Sequence, residues 1–454
     1  MKNRKNVMWV LIFLPVLMAG CAGMPKETGF KDVQQLVNDR ADYRLLWIRG
    51  SDEDREVQEA IAKLLADELT IDEAVQIALL NNRSLQATYE ELGVTQADVV
   101  KAGLLKNPTF LGLVRFPEDS SEDTNLEFEV ALDFLDILML PARKKLAAAQ
   151  FEQTKLRVSN EVLNLATTVE QAYFEVLGAQ QIKRMRETVT QASKNAFEFA
   201  QRLYKAGNIS ELELSLQHAQ YEQTRLDLAT SQKNIFTTRE QLTRLMGLWG
   251  KHTAWQAANQ LSDIPKEEIS LDRLESQAIA NRLDLMVARH ETEILAQALG
   301  ITIDWRWLGS AEIGVSAERD TDGGWVAGPS FSLELPIFDQ HQADIARLES
   351  QLRQSHKRIY ALAVDIRSEV RTLRDKLMMT RNLIEHYKTV IMPLRERIVA
   401  LTMQKYNYML TGTFELLMAK QQEYEDYQKY IETVRDYWIT RAELQRTLGG
   451  RLPS

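Results

Sequence analysis

The residues of this chain best suited to acid–base or metal chemistry near neutral pH are its six histidines. They are scattered, and none forms a metalloenzyme motif with another ligand at i, i+4 spacing. The sequence also lacks a glycine loop of the kind that cradles phosphate. We therefore expect no enzyme activity, no catalytic residue, no metal site and no cofactor. The histidines are His218, His252, His290, His341, His356 and His386.

The single cysteine, Cys21, is the other reactive side chain, and its surroundings indicate modification. It follows the small residues Ala19 and Gly20 at the end of an apolar run preceded by three basic residues. The run is shorter than the roughly 20 residues of a transmembrane helix but suits a signal peptide. Small residues before a cysteine are the pattern of a bacterial lipobox. We predict a signal peptide over 1–20 and lipid on Cys21, with sorting to the outer membrane.

The charge of the chain gives no indication of a nucleic-acid partner. The formal net charge is −9, and removing the first 20 residues takes away Lys2, Arg4 and Lys5, which makes it −12. A basic patch is the usual footprint of nucleic-acid binding. With one cysteine, disulfides and cysteine metal clusters are excluded.

A helix-opening phrase occurs twice, about 200 residues apart. In each copy a hydroxyl residue that can cap a helix, Thr70 or Ser270, precedes apolar side chains at helical spacing. Each copy leads into two alternating strands and a long helix. The predicted fold is therefore mostly α with β, a duplicated helix-strand-strand-helix unit. The shared positions are Ala78, Asn81 and Leu85 in the first copy and Ala278, Asn281 and Leu285 in the second.

The repeat defines the expected domains. They are a lipid-anchored segment over 21–68, the first repeat over 69–249, a linker over 250–268, the second repeat over 269–450 and a tail over 451–454.

Caps and breaks mark the helices of the first repeat. One helix is expected over 70–106, stopped by a proline. A second, opened by Pro141, is expected over 141–205, and a third follows from the N-cap Ser210 to 246. The turn between the last two is assigned to Gly207, which with Asn208 accepts a positive φ and so makes a helical hairpin.

The second repeat has the same order of elements. One helix is expected over 271–300 and a second from the capping residue Asp339 to 410. A third follows a turn at Gly412 and runs to 448. Apolar residues at steps of three and four predict coiled-coil seams in both repeats. The seam residues are Val162, Leu165, Val169, Ala172, Val176 and Ala179, and Ile366, Val370, Leu373 and Leu377.

Four segments alternate between apolar and polar residues, as strands do. A soluble sheet over a core is one interpretation. The other is a membrane sheet, because lengths of about 8–10 residues approach the roughly 9–11 of a tilted spanning strand, and Trp305, Trp307 and Trp325 stand where interfacial aromatics would lie. The apolar faces hold Phe110, Gly112, Val114 and Phe116; Leu126, Phe128, Val130, Leu132 and Phe134; Ala311, Ile313, Val315 and Ala317; Phe331, Leu333, Leu335 and Ile337.

Four strands cannot close a barrel by themselves. Open edges in hydrocarbon leave unpaired backbone groups that cost several kcal/mol each. If the strands cross a membrane, several chains must therefore share one barrel.

These residues resemble the TolC-like outer-membrane efflux proteins. The resemblance rests on LTIDEAVQIALLNN with ADVVKAGLLKNPTF, on the strand-to-helix passages LDFLDILMLPARKKLA and FSLELPIFDQHQADIA, and on LYKAGNISELEL, and it covers about residues 65–450. It implies a homotrimer whose chains give four strands each to a 12-stranded outer-membrane β-barrel, continued by a long periplasmic α-helical coiled-coil barrel. It also implies a periplasmic adaptor, or membrane fusion protein, and an inner-membrane RND-type pump as partners, and outer-membrane lipid around the barrel.

The resemblance also assigns roles to residues. The hairpin tips, where such proteins meet their adaptor, contain Tyr204, Gly207, Ser210 and Leu212, and Gly412, Phe414 and Leu416. The second tip differs from the first by a shorter spacing between its glycine and the following helix. The alternative to adaptor docking is that these residues only form the helical hairpin. Acidic residues beyond the turns, Glu415 and Glu213, are candidates for a ring at the periplasmic gate.

If the apolar strand faces point to lipid, a set of acidic residues faces the lumen. Threefold repetition would then favour cations, although any wet lumen carries polar side chains. The set is Glu127, Glu129, Asp133, Glu312, Glu318 and Glu334.

The resemblance implies the outer-membrane exit duct of a tripartite efflux system, which passively conducts metal cations or drugs. These residues do not determine which cargo it is. The stretch YNYMLTGTFELLMAKQQEYEDY resembles the heavy-metal branch of the family more than the drug-export branch. Five methionines in the last third have thioethers that suit Cu(I), but methionine on long helices usually serves packing. Two other functions are open: the exit duct of a type I protein secretion system, and a coiled-coil envelope lipoprotein without a pore. The methionines are Met378, Met379, Met403, Met409 and Met418.

Overall fold

The computed structural model describes residues 29–50, 53–118, 122–268 and 272–450. The predicted signal peptide, Cys21, the second-repeat cap Ser270 and the tail lie outside these ranges. Within them, the chain forms two compact units. Of the described residues, unit 1 includes those in 90–157 and 284–361, and unit 2 includes those in 33–89, 158–283 and 362–450, so each unit takes segments from both repeats.

The first repeat and the segment before it contain the following elements: α1 Phe30–Asn38, α2 Glu53–Leu64, β1 Glu68–Leu69, α3 Ile71–Asn81, α4 Arg83–Ala102, β2 Thr109–Arg115, β3 Asn125–Asp133, α5 Phe134–Lys205 and α6 Glu211–Leu245. The second repeat and the segment before it contain β4 Gln256–Ala257, α7 Leu274–Asn281, α8 Leu283–Trp305, β5 Ala311–Arg319, β6 Trp325–Leu333, α9 Gln342–His386, a π-helical turn Tyr387–Ile391, α10 Met392–Asn407 and α11 Thr413–Thr447. The predicted duplication of helix, two strands and long helical hairpin is confirmed.

The expected helix over 70–106 is wrong in detail, because it is two helices that part at Asn82. Thr70 caps α3 through a capping box with Glu73. Asn82 takes an extended backbone, accepts from the Leu85 amide at 3.0 Å and donates to the Leu245 carbonyl at 2.8 Å. The second repeat breaks in the same way at Arg282, after α7. A side chain that caps a new helix while binding a distant one stabilises this break.

The long helix α5 begins at Phe134 rather than at Pro141. The Asp133 carboxylate accepts from the Asp136 amide at 3.1 Å, so the last residue of β3 caps the helix that follows it directly. Pro141 lies inside the helix. With 72 residues, α5 is roughly 110 Å long.

Two further boundaries differ from expectation. Strand β6 begins at Trp325 and ends at Leu333, so Leu335 and Ile337 lie beyond it, next to Pro336, which cannot donate to a ladder. Helix α9 begins at Gln342. Asp339 does not cap it directly but accepts from the His341 amide at 2.9 Å.

The expected helix over 339–410 is interrupted by a π-helical turn and ends at Asn407. Pro393 follows this turn and has no amide hydrogen for the carbonyl four residues earlier, at Thr389. The wider turn replaces the missing bond with one from the Met392 amide to the Tyr387 carbonyl. A proline explains the interruption, since π-turns accommodate a break in the helical ladder.

The predicted coiled-coil seams form the core of unit 2. Val162, Val169 and Val176 are fully buried on α5, and Ile366 and Leu377 are fully buried on α9. Segment 250–268 also packs in this unit, because Gln256 and Ala257 pair in parallel with Glu68 and Leu69. Among the described helices, none has the length and apolar character needed to cross a membrane.

Candidate functional site

The four long strands form one antiparallel sheet in unit 1, in the order β2-β3-β5-β6. Arg115, Asn125, Arg319 and Trp325 lie at one end of the strands, called the turn end; the opposite end, next to the helices, is called the helix end. The outer edges of β2 and β6 pair with no strand of the described residues. Such edges are open to pairing with another chain.

The register places the predicted acidic residues of β3 and β5 on one face, called the polar face. Glu127 lies opposite Glu318, and Asp133 lies opposite Glu312. Glu129 shares this face opposite Ser316. The sequence therefore predicted the sharing of a face correctly for these five residues. That the face lines a lumen stays a prediction.

The sixth residue, Glu334, lies one position beyond β6. Its carboxylate accepts from the Ser310 amide at 3.0 Å and from the Ser310 hydroxyl at 3.1 Å, and its own amide donates to the Ser310 carbonyl. These contacts fix the Glu334 side chain at the helix end of the sheet.

Two basic side chains that the sequence interpretation missed partly neutralise the acidic set. At the turn end, the Arg115 Nη2 lies 2.9 Å from the Glu127 Oε2. At the helix end, the Lys106 Nζ lies 3.0 Å from the Asp133 Oδ2 and 3.7 Å from Asp136. The pairing of β2 with β3 brings Arg115 to Glu127, and Lys106 lies just before β2, so the polar face is less negative than its carboxylates alone imply.

Glu129, between these ends, and Glu312, at the helix end opposite Asp133, have no ion-pair partner in the described part of the chain. The opposite face is apolar and exposed. Phe110 is 70% exposed and Phe331 is 68% exposed. A sheet with one face of exposed apolar side chains and one face of carboxylates meets two different environments.

The first hairpin tip, in unit 2, has the predicted geometry. Gly207 has φ 74, and the Asn208 amide donates to the Leu203 carbonyl at 2.9 Å, which is the Schellman arrangement at a helix end. Ser210 caps α6 through a capping box with Glu213. Tyr204 and Leu212 are exposed there.

The assignment of the second turn to Gly412 is wrong. The left-handed residue is Met409, with φ 55, and the Leu410 amide donates to the Lys405 carbonyl at 2.9 Å. Gly412 has an extended backbone and is the N-cap of α11. Met409 thus corresponds to Gly207 and Gly412 to Ser210, so the spacing is the same in both tips.

This alignment also pairs the other tip residues. Phe414, 47% exposed, corresponds to Leu212, 69% exposed, and the half-buried Leu416 follows on the same helix. Met409 is 93% exposed, and the other four methionines singled out in the last third are exposed as well. Within this single chain, these methionines therefore do not pack in a core.

Both gate candidates occupy capping positions. Glu213 accepts from the Ser210 amide at 2.7 Å, and Glu415 accepts from the Gly412 amide at 3.1 Å. The Ser210 hydrogen bonds hold the pKa of Glu213 below its ordinary value. Both carboxylates are exposed, so they can cap a helix and still present charge to solvent. A gate role stays a prediction.

The described residues form no metal-binding cluster. No group of three or more His, Cys, Asp or Glu side chains in ranges 29–50, 53–118, 122–268 and 272–450 could hold a metal ion. The features that the structure does assemble are an open sheet with a polar and an apolar face and two long helical hairpins. This is the set of elements that the resemblance to outer-membrane efflux proteins implies.

Comparison with known proteins shows which family the chain is similar to. The sequence model of the outer membrane efflux protein family matches residues 74–248, which lie in the first repeat. The cobalt-zinc-cadmium resistance protein CzcC of Cupriavidus metallidurans is 20% identical over 395 residues, which cover 85% of this chain and 91% of that protein. The resemblance to outer-membrane efflux proteins is therefore confirmed.

Solved structures agree on the fold. The outer membrane channel CmeC of Campylobacter jejuni superposes with a TM-score of 0.72 at 13% identity, covering 84% of this chain and 86% of that chain. CusC, studied for conformational changes that accompany folding and transmembrane channel formation, superposes with a TM-score of 0.69 at 16% identity, covering 91% and 99%. The predicted fold class is confirmed.

Proposed function

We propose that three copies of this chain form the outer-membrane exit duct of a tripartite efflux system and conduct metal cations passively. The observation that carries this function is the open sheet of β2, β3, β5 and β6, with two free edges and an exposed apolar face. Pairing the edges between copies closes a barrel of twelve strands. Closure removes the unpaired backbone groups that hydrocarbon would penalise.

The two faces of the sheet support an orientation in that barrel. The apolar face, with Phe110, Val130 and Phe331, meets lipid, and the polar face, with Glu129 and Glu312, lines the lumen. Alternation of apolar outward and polar inward residues is the pattern of membrane barrels.

The helical hairpins are the proposed contact with the rest of the system. The tip residues Tyr204, Leu212 and Phe414 are exposed and apolar, and exposed apolar side chains support docking of a partner. We assign them, with the other tip residues, to a periplasmic adaptor that couples the duct to an inner-membrane pump. Glu213 lies in the first turn of α6 and Glu415 in the first turn of α11. These two are the proposed gate carboxylates.

Two observations support metal cations as the cargo. The CzcC relative is a cobalt-zinc-cadmium resistance protein, and the polar face carries more carboxylates than basic groups. Passage needs no covalent step, in keeping with a duct rather than an enzyme. Lipid on Cys21 would anchor the N-terminal side of the chain to the same membrane.

The molecular mass in detergent and the conductance in lipid bilayers test whether the protein forms a trimeric duct. Purified full-length protein is expected to be a trimer by light scattering in detergent and to open channels in planar lipid bilayers. Trimers that never conduct, under any ionic condition, would contradict the duct and favour a coiled-coil lipoprotein without a pore.

Survival of a deletion strain exposed to metals, dyes and antibiotics tests which cargo the duct conducts. Deletion of the gene is expected to sensitise cells to cobalt, zinc or cadmium but not to dyes or antibiotics, with restoration by the wild-type gene. Unchanged metal tolerance together with loss of a secreted polypeptide would favour type I secretion instead.

A further inference from the structure

Two glutamates of like charge face each other at the turn end of the polar face. Glu127 of β3 and Glu318 of β5 are direct cross-strand partners. Like charges directly opposite one another destabilise a sheet. A basic group close to both carboxylates would offset this repulsion.

Arg115, the last residue of β2, supplies that group. Its Nη2 lies 2.9 Å from the Glu127 Oε2, and its Nη1 lies 4.0 Å from the Glu318 Oε1. Asn125 completes the arrangement, because its amide donates to Glu318 at 2.7 Å and accepts from the Arg115 Nη1 at 3.2 Å. Two glutamates thus share one guanidinium, and we call these four residues the Arg115 cluster.

Arg115 is also the only basic residue on the polar face of the four strands. Arg319 lies at the same end but on the apolar face, opposite Leu126, where it pairs with Asp123 at 2.6 Å. The connections at this end add further acids, among them Asp320 and Asp322. The side chain of Arg115 is 58% exposed, so its charge is open to passing ions.

We propose that Arg115 is a specificity-determining residue that limits the cation preference of the duct at the turn end. The inference rests on the proposed function and on the polar face lining the lumen. With Arg115 the cluster carries a net charge of −1 per chain, and without it −2. In a trimer, loss of the arginine doubles the negative charge at this level of the lumen, which attracts cations and repels anions.

The test is the ratio of K⁺ to Cl⁻ permeability of purified full-length protein in planar lipid bilayers under a KCl gradient. R115Q is expected to raise this ratio by about twofold or more, since an unpaired carboxylate acts over a screening length of about 8 Å at physiological salt. The double variant R115Q/E127Q restores the cluster charge and is expected to return the ratio to the wild-type value. R319Q, at the same end but on the other face, is the matched control and is expected to leave the ratio unchanged.

An R115Q channel with wild-type conductance and an unchanged ratio would overturn the inference, and so would an equal rise in R319Q. If R115Q does not assemble, the single variant E127Q tests the proposal. Its ratio of K⁺ to Cl⁻ permeability should fall below that of the wild type. An unchanged ratio would contradict the proposal. A wild-type protein that conducts nothing refutes the duct itself, which distinguishes the two failures.

Discussion

Gly247 lies so close to Asn81 that a methyl group on Gly247 would come within 2.7 Å of the Asn81 carbonyl oxygen. The Asn81 side-chain amide donates to the Gly247 carbonyl at 2.7 Å and to the Met246 carbonyl at 3.0 Å. The second repeat has the same arrangement, with Gly449 placed 2.8 Å from Asn281 by the same measure. In each repeat, the end of the last helix therefore packs against the break that follows the first helix.

The close approach predicts a large cost for Gly247→Ala. Gly247 has φ 67, and Gly250 has φ 61 but open space around it. Gly250→Ala should cost about 1–2 kcal/mol from backbone strain alone, and Gly247→Ala should exceed that by about 2 kcal/mol or more because backbone atoms must move. Urea unfolding in detergent, followed by circular dichroism, measures both. An equal loss of unfolding free energy in the two variants would mean that the backbone near Asn81 moves aside without cost.

A charge on the apolar face should block membrane assembly, whereas the same charge on the polar face should not. Val130 and Leu111 lie on neighbouring strands on opposite faces and are 50% and 46% exposed. Val130→Lys places an ammonium in lipid at a cost of about 2–4 kcal/mol per chain near mid-bilayer, while Leu111→Lys faces water. Immunoblots of outer-membrane fractions should show Val130→Lys depleted and Leu111→Lys at wild-type amounts. The opposite result would reverse the assignment of the faces.

The gate role of Glu415 can be separated from its capping role. Gln also completes a capping box, so Glu415→Gln keeps the hydrogen bond to Gly412 and removes only the charge. We expect block of the channel by divalent cations to weaken by about threefold or more. Glu73→Gln, which changes a capping residue away from the tips, is the control and should leave block unchanged. Equal block in wild type and Glu415→Gln would exclude the gate role.

The half-buried Glu170 should make stability depend on pH. Burial raises the pKa of its carboxyl from 4.5 to about 7, against the opposing hydrogen bond from the Tyr43 hydroxyl at 3.0 Å. The folded protein then keeps a proton that the unfolded chain releases, so the free energy of unfolding falls as pH rises from 4.5 to about 7. The fall is at most about 3 kcal/mol.

Glu170→Gln tests this pH dependence because the amide does not titrate. The wild type should lose stability between pH 5 and pH 8 relative to this variant, as measured by urea midpoints at both values. Parallel midpoints in the two proteins would show that Glu170 ionises at its ordinary pKa.

Local sequence patterns specify the kinds of elements and their order. Helical seams such as Val162, Val169 and Val176, the strand alternation around Phe128 and the cap at Ser210 depend on residues a few positions apart. Their signals are therefore readable without tertiary structure. The sequence also contained a second repeated pattern that was overlooked: Leu242, Arg244 and Gly247 correspond to Leu444, Arg446 and Gly449.

Contacts between distant segments, in contrast, become visible only in the folded chain. Asn82 ends one helix while binding Leu245, 163 residues away, and no local pattern reports that contact. The left-handed residue of the second tip is Met409 although Gly412 stands three residues later, because hydrogen bonds of the closing turn outweigh the preference of glycine for positive φ.

The charge of the polar face was likewise decided by long-range pairing. Alternation placed Glu127 and Glu318 on strand faces, but only the register between β3 and β5, 191 positions apart at this pair, puts them opposite each other with Arg115 between them. The free energy of such a cluster depends on distances between strands rather than on spacing along the chain. A single sequence therefore specifies which faces are acidic, and the fold specifies how much of that charge is neutralised.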